Sequence, residues 1–292
     1  MRLCYYSDSY NVGDALNAWL WPQLFEELED FHLVGIGSIL SYSFLKTKPE
    51  LDDSRVKKIV FGSGARSEKL DFKFGLDWEI RFLRGPLSSA TITKQNNNFI
   101  TDSAYAIALL PQYSALVTQQ KKYEISLVPY FRSMKYFDWK MFTRQTGVHI
   151  IPSTLDCTTF ITEVSQSKLV IAEAMHGAII ADILRVPWLR LKLKAHHFEQ
   201  EATSEFKWSD WLLSMTLKNK TFSIQIPHHL SFTVRYFPLF IQRYINTKLL
   251  IRAIQRSSSK TTSYQLSIKH IFNQKVTQLK KEVDWLRQHY SN

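Results

Sequence analysis

Residues 169–187 constrain the fold most strongly, because they join a buried strand to a helix through a short polar break. Residues 169–172 are an apolar run of the kind that a buried parallel strand needs. Residues 178–184 carry apolar side chains at helical spacing, and Asp182 and Arg185 are predicted to point away from the apolar face. A strand that passes directly into a helix is the repeating unit of α/β folds with parallel sheets.

The polar break, residues 173–177, is predicted to bind an anion. Open α/β folds bind ligands outside the carboxyl ends of their strands, which is where this break would lie. A helix N-terminus also attracts a phosphate or carboxylate, because its N–H groups are free and its dipole is positive there. His176 and Gly177 are therefore candidate binding residues, and the alternative is that His176 only caps a buried turn.

The same succession of strand, glycine-containing turn and helix opens the chain. A predicted strand at residues 3–6 is followed by Asn11, Gly13 and Asp14, and then by apolar residues at helical spacing. Gly13 allows a ligand to approach the backbone closely. Asn11 and Asp14 can hydrogen-bond a hydroxyl group of a ligand, or they can cap the helix.

Two further apolar runs, residues 34–40 and 59–65, are predicted strands that contain glycines at their ends, Gly64 among them. Neither continues into a dinucleotide-binding fingerprint, so each alone is a weak signal. Glycine-rich strand ends that recur in this way predict one crevice lined by all of them.

Arg84 ends another predicted strand, ahead of a Gly-Pro pair and a helix that Ser88 opens. A guanidinium there can hold a carboxylate or phosphate through two parallel hydrogen bonds, and the alternative is a surface ion pair. Ser103 lies in a further polar turn, residues 101–104, and is a candidate substrate ligand.

The pattern restarts after the polar, glutamine-rich residues 111–122, where we predict a domain boundary. A strand at residues 125–130 precedes Arg132, and residues 188–194 are predicted to be the last strand. Strands and helices alternate in both halves, which predicts an α/β protein with two parallel-sheet domains that face each other across a ligand crevice.

The predicted domains are residues 1–120, residues 121–230 and a helical C-terminal extension, residues 231–292. The first helix of the extension is basic and amphipathic, so it either packs or contacts a membrane surface. A serine- and threonine-rich linker at residues 257–263 separates it from a last helix with a narrow apolar seam. That seam is predicted to dock on a domain or to pair with another chain.

Composition narrows the class of partner. The formal net charge of +11 indicates an anionic partner, which can be a nucleic acid, an acidic membrane face or a phosphorylated small molecule. The sequence contains no recognised nucleic-acid module, so nucleic acid ranks last. We also predict a cytosolic protein, since the N-terminus lacks a secretory signal and no apolar run is long enough to span a bilayer.

Cysteine and histidine give no strong sign of a metal site. Cys4 and Cys157 are the two cysteines, and they are predicted to be small buried side chains rather than a disulfide or zinc ligands. His196 and His197 lack a third ligand at a suitable spacing. We therefore expect no metal.

Six short motifs together resemble the polysaccharide pyruvyl transferases. They are Asn11-Val12-Gly13-Asp14, Phe61-Gly62-Ser63-Gly64, Leu83-Arg84-Gly85-Pro86, Asp102-Ser103-Ala104, Val128-Pro129-Tyr130 and Glu173-Ala174-Met175-His176-Gly177. The block Phe206-Lys207-Trp208-Ser209-Asp210-Trp211 further resembles the branch that pyruvylates bacterial exopolysaccharide repeat units of the succinoglycan and xanthan type. The resemblance covers residues 1–211 and depends on the order and spacing of the motifs.

This resemblance implies two Rossmann-like domains with a cleft between them, similar to GT-B glycosyltransferases. The first domain would serve the acceptor and the second the donor. The implied reaction moves the pyruvyl group of phosphoenolpyruvate to two hydroxyls of one sugar and forms a cyclic ketal, without a cofactor. The implied acceptor is a lipid-linked oligosaccharide or polysaccharide, which would bring the protein to the inner face of the cell membrane.

The resemblance also suggests roles for individual residues. His176 is the candidate acid, and Asp14 is the candidate for orienting or deprotonating the acceptor hydroxyl. Many family members carry Arg-Leu-His where this chain has Ala174-Met175-His176, so another cation must hold the donor's second anionic group. The candidate cations are Arg84, Arg132 and Lys207. The main alternative function is a nucleotide-sugar glycosyltransferase of the same architecture, because the same groups would hold a diphosphate.

Overall fold

A computed structural model of the chain describes residues 1–7, 11–25, 28–69, 72–95, 97–194, 201–225, 238–258 and 264–290. His196, His197 and much of the predicted start of the C-terminal extension lie outside the described residues. The chain folds into two compact units, one of Met1–Tyr113, Glu201–Asn219 and Ser267–Asn292, and one of Ser114–Gln200 and Lys220–Leu266. We call them the first unit and the second unit.

The first unit is built on a four-stranded parallel sheet. Its strands lie in chain order and are β1 (Arg2–Leu3), β2 (Phe31–Val34), β3 (Lys57–Phe61) and β4 (Trp78–Phe82). The helices near these strands in the sequence are α1 (Val12–Leu24), α2 (Tyr42–Leu45), α3 (Pro86–Thr93) and the 3-10 helices Pro49–Asp52 and Ser103–Leu109.

The second unit is built on a five-stranded parallel sheet in the order β6-β5-β7-β8-β9. Its strands are β5 (Ser126–Val128), β6 (His149–Ile150), β7 (Val170–Ala172), β8 (Trp188–Lys194) and β9 (Thr221–Gln225). Its helical segments include the 3-10 helix Phe131–Tyr136, α5 (Trp139–Thr146), α6 (Cys157–Ser165) and α7 (Met175–Ile183), and α4 (Tyr113–Val117) precedes β5. The two parallel sheets confirm the predicted α/β class.

The strand order of the second sheet identifies a switch point. From β5 the chain adds β6 on one side of the sheet. It then crosses back to add β7 on the other side of β5, and β8 and β9 follow on that same side. Open α/β sheets bind ligands outside the carboxyl ends of the two strands at which this reversal occurs. In this unit those strands are β5 and β7, and the residues after β7 are the polar break that the sequence singled out.

Two C-terminal segments join the first unit, which differs from the predicted division of the chain. Helix α8 (Glu201–Ser214) contributes Phe206 to the same apolar cluster as Val34 and Leu83. Helix α10 (Lys269–Tyr290) buries Leu279 and lies against the 3-10 helix Ser103–Leu109. The apolar side chains of both helices thus find their core in the first unit, whereas α9 (Leu239–Ser258) packs on α5 of the second.

Five local predictions need correction, each for a physical reason. The strand predicted at residues 34–40 ends at Val34, and the backbone of Ile36 bonds instead to the side-chain amide of Asn17 at 2.9 Å through both its N–H and its C=O. The helix after β4 begins at Pro86 rather than Ser88, since proline suits a first helical position.

Asp182 is fully buried and accepts a hydrogen bond of 3.2 Å from the indole N–H of Trp188, so the prediction that it points outward was wrong. Residues 188–194 are not the last strand, because Thr221–Gln225 adds β9 beside them. The aromatic block of residues 206–211 is helical, and its aromatic side chains are buried, so the interpretation that it is too polar for simple core was also wrong.

Cys4 and Cys157 are buried, as predicted. Burial raises the pKa of both thiols to about 12, because the thiolate would lose its hydration. Neither thiol is suited to act as a nucleophile at neutral pH.

No helix in the described ranges is both long and apolar enough to cross a membrane.

Candidate active site

The carboxyl ends of the first unit's strands meet at one edge, as the glycine-rich turns predicted. The N–H of Gly64, after β3, donates to the carbonyl of Gly37, after β2, at 2.9 Å. The Ser63 hydroxyl donates to the carbonyl of Val34 at 2.9 Å. These bonds hold the two turns against each other, and we call this edge of the sheet the first edge.

Arg84 follows β4 at the first edge, and its side chain is fully buried. Its Nη1 donates to Ser38 Oγ at 2.5 Å, and its Nε donates to Asp210 Oδ2 at 3.0 Å. A Cβ atom at position 64 would lie 2.3 Å from Arg84 Cζ, so only glycine leaves room for the guanidinium there. The alternative of a surface ion pair was therefore wrong, because the pair is buried. The prediction that Arg84 binds substrate stays a prediction.

Asp210 of α8 is the acid that organises this arrangement. Besides Arg84, it accepts hydrogen bonds from the Ser88 N–H at 2.9 Å and from the Ser88 hydroxyl at 2.5 Å. It thereby places a carboxylate at the N-terminus of α3, where the helix dipole favours negative charge. Two motifs far apart in the sequence, at residues 83–86 and 206–211, are thus joined by one buried ion pair. Asp210 was not among the predicted site residues, and its signal in the sequence was an acidic residue between Trp208 and Trp211.

Asn11, Gly13 and Asp14 lie together at the start of α1. Asn11 is the N-cap residue: its side chain accepts from the Gly13 N–H at 3.4 Å and donates to Asp14 Oδ2 at 3.1 Å. Asp14 is half-buried in the first turn, and its Oδ1 is 4.0 Å from the point where a Cβ at Gly37 would lie. The structure therefore brings Asp14 to the first edge, close to the turn that contacts Gly64.

Ser103 is fully buried against Gly62, where a Cβ would lie 2.5 Å from Ser103 Cβ. Its hydroxyl has no hydrogen-bond partner among the residues that the structure describes. The neighbouring Asp102 accepts from the Ala104 N–H at 3.0 Å and so begins the 3-10 helix. Because Ser103 is fully buried, it lies below the surface that a substrate would contact directly. Its role in substrate binding stays a prediction.

Lys207 is half-buried on α8 and belongs to the first unit, together with Asp210. This differs from the prediction that Lys207 lies in the domain of residues 121–230, which would serve the donor.

In the second unit, His176 and Gly177 lie in the first turn of α7, which begins at Met175. His176 is half-buried, and a Cβ at Gly177 would lie 2.8 Å from Val128 Cγ1, so the glycine lets the helix start pack closely on β5. Ala174, the N-cap residue, offers no side-chain hydrogen bond to the helix. The first turn of α7 therefore has the dipole of a helix start without a capping side chain, which suits an anion.

Arg132 is exposed on the 3-10 helix that follows β5, with its guanidinium carbon 5.4 Å from the centre of the Phe131 ring. Since β5 pairs with β7, the segments that carry Arg132 and His176 leave the same edge of the second sheet. Among the three cations proposed to replace the family arginine at Ala174, Arg132 is the one in the same unit.

Glu173 connects these two segments and was not among the predicted site residues. Its Oε2 accepts from the Tyr130 N–H at 2.8 Å, and its Oε1 accepts from the Ser133 hydroxyl at 2.7 Å. Burial raises the pKa of its carboxyl to about 7, because these two hydrogen bonds only partly offset the loss of hydration. The sequence signal was an acidic residue directly after a buried strand.

Within the described ranges, no three His, Cys, Asp or Glu side chains are grouped so that they could hold a metal ion.

Comparison with known proteins finds a curated relative. The chain is 33% identical over 213 residues to the succinoglycan biosynthesis protein ExoV of Rhizobium meliloti (strain 1021), and the match covers 71% of this chain. The chain spans 63% of the length of that protein. No protein-family profile matches the chain.

Among solved structures, the chain is similar to the UDP-GlcNAc 2-epimerase of Methanocaldococcus jannaschii, described in complex with UDP-GlcNAc and UDP. The alignment covers 95% of this chain and 80% of the epimerase, with 11% identity and a TM-score of 0.41. Over the 213 matched residues, the chain is thus similar to a protein of succinoglycan biosynthesis.

Proposed function

We propose that this protein transfers the pyruvyl group of phosphoenolpyruvate to two hydroxyls of one sugar in an exopolysaccharide repeat unit. The product is a cyclic ketal, and inorganic phosphate is released. The observation that carries the proposal is His176 in the uncapped first turn of α7, at the switch point of the second sheet. The similarity to a succinoglycan biosynthesis protein supports exopolysaccharide as the acceptor class.

The donor carries a phosphate and a carboxylate, so it needs two sets of positive partners. The first turn of α7, with the Gly177 N–H close to its start, would hold one anionic group. Arg132, on the neighbouring segment, would hold the other. Lys207 and Arg84 remain candidates from the sequence motifs, although the buried Arg84 already neutralises Asp210.

The reaction itself requires acid and base catalysis. The methylene carbon of phosphoenolpyruvate takes up a proton and becomes a methyl group, which leaves positive charge on the adjacent carbon. One sugar hydroxyl attacks that carbon and loses its proton; the bond from the carbon to the phosphate oxygen breaks, and a second hydroxyl then closes the ring. Of the two hydroxyl protons, one balances the proton in the new methyl group and the other leaves with the phosphate. His176 would supply the proton to the methylene carbon or to the phosphate.

The acceptor would be recognised by the first unit. Asp14 is half-buried at the first edge and would orient or deprotonate the attacking hydroxyl. Asn11 holds Asp14 at 3.1 Å and so fixes the direction of its carboxylate. Gly13, Gly64 and Ser103 would shape the surface beneath the sugar.

Helix α9 supports peripheral contact with an anionic membrane, where a lipid-linked acceptor would be found. Leu239, Phe240 and Tyr244 are 48%, 71% and 54% exposed at its start. Lys248 lies 5.7 Å from the centre of the Tyr244 ring, and Arg252 is exposed on the same helix, which contains no acidic residue. Exposed aromatic side chains beside cations are typical of helices that bind the surface of acidic bilayers. We therefore propose that the protein works at the inner face of the cell membrane.

Phosphate release tests the proposal. Purified full-length protein is incubated with lipid-linked oligosaccharide and either phosphoenolpyruvate or a set of nucleotide sugars. We expect release of inorganic phosphate from phosphoenolpyruvate that depends on the oligosaccharide. Release of a nucleoside diphosphate from a nucleotide sugar, with phosphoenolpyruvate left intact, would establish the glycosyltransferase alternative instead.

A further inference from the structure

Glu173 is bonded to the end of β5 through its backbone and to the segment after β5 through its side chain. The N–H of Glu173 donates to the carbonyl of Val128 at 2.9 Å and continues the pairing of β7 with β5. The carboxyl then accepts from Tyr130 and Ser133, which lie on either side of Arg132. Because Ser133 is fully buried, this contact anchors the first turn of the 3-10 helix to the start of α7.

One carboxyl group thus sets the distance between two candidate donor-binding groups. The positions of Tyr130 and Ser133 determine where Arg132 lies, because Arg132 stands between them in the chain. The turn that begins at Glu173 leads into the start of α7 and so determines where His176 lies. If the carboxyl lost these bonds, the 3-10 helix would be free to shift relative to α7. The arrangement is that of a residue that acts through its neighbours rather than by touching substrate.

The charge of Glu173 matters because an anionic donor would bind beside it. The charged or titratable residues on the neighbouring elements include Tyr130, Arg132, Lys135 and Tyr136 of the segment after β5, His176 and Asp182 of α7, and Arg190 and Lys192 of β8, the strand that pairs with β7. A carboxylate next to a bound phosphate or carboxylate is disfavoured by repulsion of like charges, whereas a neutral carboxyl is not. Because burial raises the pKa of this carboxyl to about 7, it can change its protonation state near neutral pH.

We propose that Glu173 is a positioning residue that ties the Arg132 segment to the His176 turn, and that it takes up a proton when phosphoenolpyruvate binds. This inference rests on the proposed function, since it takes phosphoenolpyruvate to be the donor at α7. By linkage, a ligand whose binding favours the protonated form must bind more weakly once the pH rises above the pKa of that group. Donor affinity should therefore fall with rising pH, and Glu173 should be the cause.

The variant Glu173→Gln separates the charge from the hydrogen bonds. Its amide oxygen can accept from the Tyr130 N–H, and its amide nitrogen can donate to the Ser133 hydroxyl oxygen, which is the pattern of a protonated carboxyl. Glu124→Gln is the matched control, because Glu124 is in the same unit but its side chain is 80% exposed and pairs with Lys168.

Calorimetry of phosphoenolpyruvate binding to the full chain, from pH 6 to pH 8.5 in buffers of different ionisation enthalpy, gives the dissociation constant and the number of protons taken up. In the wild type we expect the dissociation constant to rise by up to about tenfold per pH unit above about pH 7, with uptake of about half a proton or more at pH 8. Glu124→Gln should match the wild type. Glu173→Gln should bind the donor with an affinity that changes less with pH and with correspondingly lower proton uptake. Ionisation of the donor itself affects all variants equally and cancels in the comparison.

Equal proton uptake in Glu173→Gln and the wild type would overturn the inference and leave the proposed function intact. No phosphoenolpyruvate binding by the wild type would overturn the proposed function, and this inference with it.

Ser133→Ala keeps the inference testable if Glu173→Gln does not fold. This variant removes one of the two hydrogen bonds that lower the pKa of Glu173. The pH at which donor affinity falls should then move upward, and an unchanged pH would contradict the proposal.

Discussion

The buried pair of Arg84 and Asp210 gives the sharpest prediction about stability. In Asp210→Asn the amide oxygen can still accept from the Ser88 N–H, but the amide nitrogen would face the Arg84 Nε–H, which is also a donor. The guanidinium would then keep its positive charge in a fully buried position without a counter-ion.

The expected loss is large compared with the stability of a typical domain. Removing one partner of a buried ion pair costs about 3–5 kcal/mol of the free energy of unfolding. The free energy of unfolding of a folded domain is about 5–15 kcal/mol in total. The variant should therefore keep only a small part of this free energy, or fail to fold. For a unit of this size the thermal midpoint should fall by roughly 6–20 °C, at about 2–4 °C per kcal/mol.

Urea unfolding followed by far-ultraviolet circular dichroism measures this loss. The matched control is Asp284→Asn, which removes one partner of the exposed Lys280–Asp284 pair on α10, with side chains 65% and 36% exposed. That change should cost only about 0.5 kcal/mol or less.

A double variant tests the reasoning even if Asp210→Asn cannot be purified. Arg84→Met combined with Asp210→Leu removes both charges, so it should be more stable than Asp210→Asn alone. A stability of Asp210→Asn within about 1 kcal/mol of the wild type would refute the argument, because no buried charge could then have lost its partner.

Three further predictions concern activity and membrane binding. His176→Ala should lower kcat by about 10²–10⁴-fold while the urea midpoint stays that of the wild type, and a variant with wild-type turnover would remove His176 from the mechanism. Lys207→Ala should raise the dissociation constant for phosphoenolpyruvate by about tenfold, measured by calorimetry, and an unchanged constant would exclude that role. Phe240→Glu should reduce the fraction of protein that sediments with vesicles containing anionic lipid. The control Leu213→Glu, at a residue 51% exposed on α8, should leave that fraction unchanged. Equal effects of the two variants would argue against a membrane contact at α9.

Local patterns predicted the parts of the fold that depend on neighbours in the sequence. The apolar run before His176 is β7, the residues after it are α7, and the seam of α10 is buried at Phe272, Leu279 and Leu286. These elements are visible because strand and helix periodicity follow from which side chains face the core. The first edge was also predicted, because parallel strands bring their carboxyl ends together.

Long-range pairing was not visible in the sequence. Arg84 and Asp210 are far apart in the chain, and nothing in either local pattern identifies the other as its partner. For the same reason α8 was not predicted to join the first unit, since its packing depends on Phe206 meeting a core built by residues near the N-terminus. Glu173 was not predicted as a site residue, because its role depends on hydrogen bonds from Tyr130 and Ser133, which lie in the loop after another strand.

The most direct test of the central claim follows the carbon atoms of the donor. The full chain is incubated in heavy water with phosphoenolpyruvate labelled with ¹³C at the methylene carbon and with lipid-linked oligosaccharide, and the oligosaccharide is examined by NMR. We predict a labelled methyl group that carries one deuterium, bonded to a ketal carbon on the sugar, and loss of this signal in His176→Ala. A sugar without label, recovered beside unchanged phosphoenolpyruvate, would contradict the account.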